Sequence, residues 1–159
     1  MAKKTKICFI SSSGGHFSEL SRLKELTNDY DSFLVVERPK GFKTSFCKKQ
    51  YFVKEINRKE FFFLFHFIFL FIKEFFIFLR EKPSVVITTG ALASYPMIKI
   101  AHFFKKKTVY IESFARVYDL SLTGKKVYKT VDLFLVQWED LLPKYPKACY
   151  YGSLFDSYL

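Results

Sequence analysis

The sequence predicts an α/β domain built on a mainly parallel sheet covered by helices on both faces. Three observations predict it. Short apolar runs rich in β-branched residues alternate with stretches of helical periodicity. The runs are apolar at nearly every position, as strands buried on both faces must be. The segments that leave them collect glycine, serine and threonine, the residues of turns and helix starts. Together these describe a Rossmann-like, doubly wound domain over residues 1–159, long enough for one hydrophobic core and free of repeats or low-complexity linkers.

KICFIS (6–11) reads as a buried strand that places Cys8 in the core. It breaks at once into SSSGGH. Gly14 and Gly15 there permit a tight turn with backbone angles closed to other residues, and Ser11, Ser12 and Ser13 are placed to cap a helix start. HFSELSRLKEL (16–26) follows as a helix with Leu20, Leu23 and Leu26 inward. DSFLVVE (31–37) is a second strand, GFKTSFCKKQ (41–50) a basic loop or short helix, and YFVKEI (51–56) a weaker strand. PSVVITTG (83–90) is opened by Pro83, filled with β-branched residues and closed by Gly90. A helix at about 91–104 leads to the strand KTVYIE (107–112), and a helical stretch near 124–130 leads to VDLFLVQW (131–138). ACYYG (148–152) adds a last short strand.

The phenylalanine-rich segment KEFFFLFHFIFLFIKEFFIFLREK (59–82) stands apart. On a helix, Lys59, His66, Lys73 and Arg80 are heptad-spaced with Glu60, Glu74 and Glu81 beside them, which makes one slowly drifting polar stripe. Apolar side chains fill the remaining surface, an arc too wide for a helix that only covers a sheet. Lys73 and Glu74 cut the run below the roughly 18 residues of a spanning helix. The composition fits a helix lying in a membrane interface, with Phe65, Phe69 and Phe76 contacting lipid; a partner-docking helix and a core helix are the alternatives.

A formal charge of +11 and a pI near 9.5 imply an anionic partner: nucleic acid, a phosphorylated metabolite or a membrane surface. Nucleic acid is disfavoured, because the phenylalanines cluster in one apolar segment and do not interleave with basic residues. Lysine pairs at Lys3-Lys4, Lys48-Lys49 and Lys125-Lys126 and the run Lys105 to Lys107 suit anionic lipid. Cys8, Cys47 and Cys149 have no metal-ligand spacing, and an odd, scattered set fits a reducing compartment; no metal or other cofactor is expected. Only four apolar-type residues follow the basic start before Ser11, too few for a signal peptide. The expected location is the cytoplasmic face of the cell membrane.

In doubly wound sheets ligands bind beyond the carboxyl ends of the strands. SSSGGH, ERPKG, TTGALAS, ESFARVYDLSLTGKK and QWEDL all fall there, and four of the five set small residues beside proton donors or acceptors. SSSGGH completes neither a Walker A motif nor a G-x-G-x-x-G fingerprint, yet it leaves a helix start suited to an anion. His16 at that start is a candidate general base or hydrogen-bond donor, with packing or capping as the bland alternative. Arg116 has the fork geometry for a phosphate, although a lone arginine also serves as a surface ion pair. Thr89 and Gly90 supply a hydroxyl and a close-approach backbone at another strand end. His66 and His102 have no ligand-like neighbours.

Four ordered segments carry a resemblance: SSSGGHFSEL, ITTGALASYP, YIESFARVYDLSLTGKKVY and DLFLVQWEDLLPKYPKACYYGSL. Together they resemble the membrane-associated subunit of two-component glycosyltransferases, and the match covers nearly all of the chain except the phenylalanine segment. One branch of that family assembles the eukaryotic dolichol-linked chitobiose; the other serves bacterial capsule and exopolysaccharide synthesis, and this chain looks closer to the second. The resemblance implies the acceptor-binding N-terminal half of a GT-B glycosyltransferase, similar to that of the enzyme making peptidoglycan's lipid-linked disaccharide. A separate polypeptide would hold the nucleotide sugar, the chain ending about where a single-chain enzyme would cross to its second domain. It further implies that Ser13, Gly14, Gly15 and His16 face the diphosphate of a polyprenyl-linked acceptor, with Thr89, Gly90, Glu112, Ser113 and Arg116 lining the same cleft. The eukaryotic form's N-terminal anchor has no counterpart here, and the phenylalanine helix is the expected substitute. An adaptor that only tethers or stabilises its partner is the rival expectation.

Overall fold

The computed structural model describes residues 5–38, 42–56 and 61–155. Among these, seven strands form one parallel sheet in the order β3-β2-β1-β4-β5-β6-β7. They are β1 (Lys6–Ser12), β2 (Asp31–Arg38), β3 (Lys49–Lys54), β4 (Val85–Thr88), β5 (Lys107–Ile111), β6 (Leu133–Val136) and β7 (Cys149–Tyr150). Cys8 lies opposite Phe33 of β2 on one side and Val86 of β4 on the other, so β1 is central. The strand order reverses between β1 and β4. In a doubly wound sheet that is where a crevice opens above the carboxyl ends.

Alternation along β1 divides the core. Cys8 and Ile10 face the layer formed by α3 (Phe63–Glu81) and α4 (Ser94–Phe103). Ile7 and Phe9 face Leu20 of α1 (Gly15–Ser21). A third cluster joins Tyr110, Phe134 and Leu141 to Val127 of α5 (Leu122–Val127).

The helix expected over 16–26 is shorter. After α1, the amides of Arg22, Leu23 and Lys24 bond to carbonyls three residues back, at 3.1, 3.0 and 3.2 Å, and a brief α2 (Leu26–Asp29) follows. The Ser21 hydroxyl donates to the Ser18 carbonyl at 2.7 Å, a local competition that serines bring to helices. No helix forms over 42–48, and Gly41 lies outside the described residues. α5 begins earlier than expected, because Ser121 caps it by accepting the Gly124 amide at 2.9 Å.

The orientation of α3 splits the polar stripe: its glutamates turn inward, while Lys73 and Arg80 stay exposed. Glu74 and Glu81 are buried, on the same side as Leu70, Ile77 and Phe78, with Phe63, Phe67 and Phe75 partly buried beside them, while Phe65, Phe69, Phe71 and Phe76 turn outward. Ion pairs explain it at the C-terminal end. Glu81 meets Lys6 at 2.7 Å and Lys49 at 2.5 Å and accepts the Tyr51 hydroxyl, tying α3 to β1 and β3. Lys73 reaches back to the Phe52 carbonyl at 2.6 Å. Glu74 is different: it is fully buried and neither carboxylate oxygen has a hydrogen-bond partner. Burial pushes its carboxyl well above the usual range, the nearby Met97 amide opposes this, and the charge of Glu37 adds to it. Lys59 and Glu60 of the expected stripe lie outside the described residues. No helix of the described residues is long and apolar enough to cross a membrane.

Candidate functional site

The chain leaves β1 through Ser13 and Gly14. Gly14 has φ +91°, a conformation side chains resist, whereas a Cβ on Gly15 would meet nothing within 4 Å and its φ is ordinary. Only the first glycine is demanded by the backbone. The expected serine caps are not made: α1 starts without a side-chain cap, the buried Ser11 hydroxyl has no partner, and the Ser13 amide donates to the Glu37 carbonyl at 2.7 Å.

His16 is held across the crevice. Its Nδ1 lies 2.9 Å from the Thr89 carbonyl, and the Thr89 hydroxyl donates to the His16 carbonyl at 2.6 Å. A carbonyl only accepts, so Nδ1 carries the proton and, in the neutral ring, Nε2 keeps its lone pair. Gly90, at φ +110°, makes room for the ring: a Cβ there would sit 3.0 Å from His16 Cε1 and 3.2 Å from the Tyr110 hydroxyl. Thr89 and Gly90 therefore position His16 from behind.

His16 lines a cleft of about 490 Å³. Ser12, Ser13 and His16 form its middle, above β1. Glu37, Glu55 and Ile56 form the end above β2 and β3; Ser113, Arg116 and Thr123 form the opposite end, beyond β5. The cleft is thus acidic at one end and carries an exposed guanidinium at the other. Arg116 makes no ion pair among the described residues. Of the residues expected to bind an anion, Ser13, Ser113 and Arg116 share the cleft with His16, and Gly14 and Gly15 are exposed in the turn between Ser13 and His16.

Glu112 does not line the cleft. It is fully buried beneath it, with Oε1 accepting the Ser113 amide at 2.9 Å and Oε2 accepting the Ser121 amide and hydroxyl at 2.9 and 3.1 Å. Since Ser121 gives its proton to Glu112 and accepts the Gly124 amide, the Tyr110 hydroxyl 3.1 Å away is the donor to it. Gly124 is forced: a Cβ would stand 2.1 Å from Glu112 Oε2. Burial raises the Glu112 carboxyl above its usual range, and the Ser113 and Ser121 amides resist that rise.

Another buried carboxylate, Glu19 of α1, carries no sequence signal beyond its place in a helical pattern. It accepts the Ser113 hydroxyl at 2.8 Å, the Phe114 amide at 3.2 Å and Gln137 Nε2 at 3.0 Å. Gln137 also donates to the Glu112 carbonyl at 2.9 Å and accepts the Leu154 amide at 2.9 Å. This network fixes the loop that bears Ser113 and Arg116 against α1. Away from the cleft, Phe65, Phe69 and Phe76 are 59%, 56% and 65% exposed on the outer face of α3.

A parallel sheet reversing at β1 and β4 under an open polar cleft is a Rossmann-like fold, and its structural neighbours are GT-B glycosyltransferases and sugar-nucleotide epimerases. The chain superimposes on UDP-N-acetylglucosamine 2-epimerase from Rickettsia bellii with a TM-score of 0.75 at 16% identity, covering 98% of this chain and 46% of that one. With Acinetobacter baumannii MurG the TM-score is 0.67 at 13% identity, covering 84% and 41%. At such identities the likeness shows the fold alone.

The family is shown by sequence: residues 52–154 match the model of "Oligosaccharide biosynthesis protein Alg14 like", and the chain belongs to that family. The Kluyveromyces lactis "UDP-N-acetylglucosamine transferase subunit ALG14" is 55% identical over 83 residues, 48% of this chain and 35% of that protein. The Homo sapiens ALG14 subunit is 37% identical over 81 residues, 47% and 38%. The match spans little more than a third of these curated relatives. Both are eukaryotic, so they support the family and lend nothing to its capsule branch.

Proposed function

We propose that this chain is the acceptor-binding subunit of a two-component glycosyltransferase, working at a membrane surface with a separate subunit that holds the nucleotide sugar. The observation that carries this reading is His16: its Nδ1 proton is committed to Thr89, its Nε2 is left available, and Arg116 lines the same cleft. A ring held in that tautomer can take a proton from an acceptor hydroxyl as the bond to the donor sugar forms. A guanidinium and the first-turn amides of α1 suit the acceptor's diphosphate. The names of the relatives suggest UDP-N-acetylglucosamine as the donor on the partner. A polyprenyl-diphosphate-linked glycan is the proposed acceptor, and the cytoplasmic face of the cell membrane the proposed location. Capsule or exopolysaccharide assembly remains the pathway that the sequence motifs favour.

The test is sugar transfer by the reconstituted pair, offered both a dolichol-type and a bacterial polyprenyl-linked acceptor. A general base contributes about 10²–10⁴-fold, whereas one neutral hydrogen bond is worth about tenfold. His16→Ala is expected to lower turnover by about a hundredfold or more with acceptor affinity little changed, and Arg116→Ala to weaken acceptor affinity. Wild-type transfer by both variants would leave the chain an adaptor.

A further inference from the structure

We infer that the acceptor lies along the cleft in one direction, with its lipid tail in an apolar groove between α3, α4 and α5; the inference rests on the acceptor-binding reading above. The groove, about 400 Å³, is walled by Phe63, Leu64 and Phe67 of α3, with Tyr95 of α4 beside them. It meets the polar cleft at Leu92 and Thr123, which line both. Phe63 stacks on Phe67 at 5.8 Å between centroids, and Phe67 packs on Tyr95 at 6.2 Å, so the wall is continuous aromatic surface. Lys126 stands at this groove with its ammonium 5.8 Å from the Tyr95 ring.

Charge sets the direction. The end of the cleft above β2 and β3 carries Glu55, which is exposed, and Glu37, which is buried with Oε1 accepting the Ile56 amide at 2.8 Å; carboxylates there disfavour a diphosphate and can accept hydrogen bonds from sugar hydroxyls. The end beyond β5 carries Arg116 and opens toward Lys126. A ligand with a sugar, a diphosphate and an isoprenoid chain in sequence matches that order: glycan over Glu37 and Glu55, diphosphate between His16 and Arg116, tail past Leu92 and Thr123. The groove then delivers the tail to the exposed face of α3, where Leu64, Phe65 and Ile68 are 68%, 59% and 49% exposed. A smaller pocket of about 170 Å³ beside Ile56 also touches the cleft, but at its acidic end.

The probes are farnesyl diphosphate, inorganic diphosphate and farnesol, titrated against the purified full chain. Farnesyl diphosphate is expected to bind about tenfold or more tighter than either fragment. Leu64→Ser with Phe67→Ser is expected to remove that advantage and leave inorganic diphosphate binding unchanged. In the wild-type chain, a photoreactive farnesyl diphosphate is expected to cross-link within 63–67 or 92–95. Equal binding of farnesyl diphosphate and inorganic diphosphate would overturn the inference, as would cross-links at Val53, Ile56 or Phe69. Inorganic diphosphate binding that ignores Arg116→Ala would overturn the underlying acceptor reading as well.

Discussion

Glu112 shows how much of the cleft is set by residues that never reach it. Its two oxygens accept from the Ser113 amide and from the Ser121 amide and hydroxyl, and they offer no place for a donor. Glu112→Gln places an NH₂ against those donors, and a buried mismatch of this kind costs about 1–3 kcal/mol. We expect a corresponding fall in thermal stability and looser binding at Arg116, measured by calorimetry and acceptor titration. Gly124→Ala should do the same by another route, because its Cβ would stand 2.1 Å from Glu112 Oε2. Wild-type stability in both variants would show that the loop does not depend on this carboxylate.

At the scale of the element, α3 combines a polar anchor with an apolar outer face. Burial pushes the Glu81 carboxyl up, but hydrogen bonds from Lys49, then Lys6 and Tyr51, outweigh it and hold the group at about 2, below the usual 4.5. A depressed carboxylate stabilises the fold above its unfolded value and loses that contribution as pH falls through the folded value. The stability difference between wild type and Glu81→Gln should therefore be full at neutral pH and shrink between about 4.5 and about 2. Denaturant midpoints across that range check it, and a difference independent of pH would refute it. The outer face has its own test. Phe65, Phe69 and Phe76 are exposed, so replacing all three with Ser should spare the fold. A fully buried aromatic is worth about 1.5–3 kcal/mol, and partial insertion of three implies at least a tenfold loss of binding to anionic vesicles. Unchanged sedimentation with vesicles would remove lipid as the occupant of this face.

For the whole molecule, the described residues form a Rossmann-like sheet with a polar cleft above it, and the relatives it matches are named as transferase subunits. The purified chain is therefore expected to transfer no sugar by itself and to gain transfer, or strong enhancement of it, when the nucleotide-sugar-binding partner is added. Radiolabelled donor and a lipid-linked acceptor measure this directly. Full activity of the single chain would contradict the two-component reading.

The sequence by itself determined the strands, their parallel pairing and the place of His16 and Arg116 in strand-end segments, because buried β runs and polar strand-end segments are local patterns. It also marked the phenylalanine segment as unusual. Which way that segment faces was decided only by tertiary structure: Glu81 of its polar stripe turned inward where it found Lys6, Lys49 and Tyr51, groups brought together from other elements, while Lys73 and Arg80 of the same stripe stayed exposed. Glu19 and Gln137 were illegible for the same reason, since they meet Ser113 and the backbone of Phe114, Glu112 and Leu154 only once the sheet is assembled. Thr89, Gly90 and Glu112 were legible only by their place at strand ends; their positions behind His16 and beneath the cleft depend on contacts between elements. Periodicity places a residue on an element. Only the contacts between elements decide whether its side chain meets a ligand or holds the residue that does.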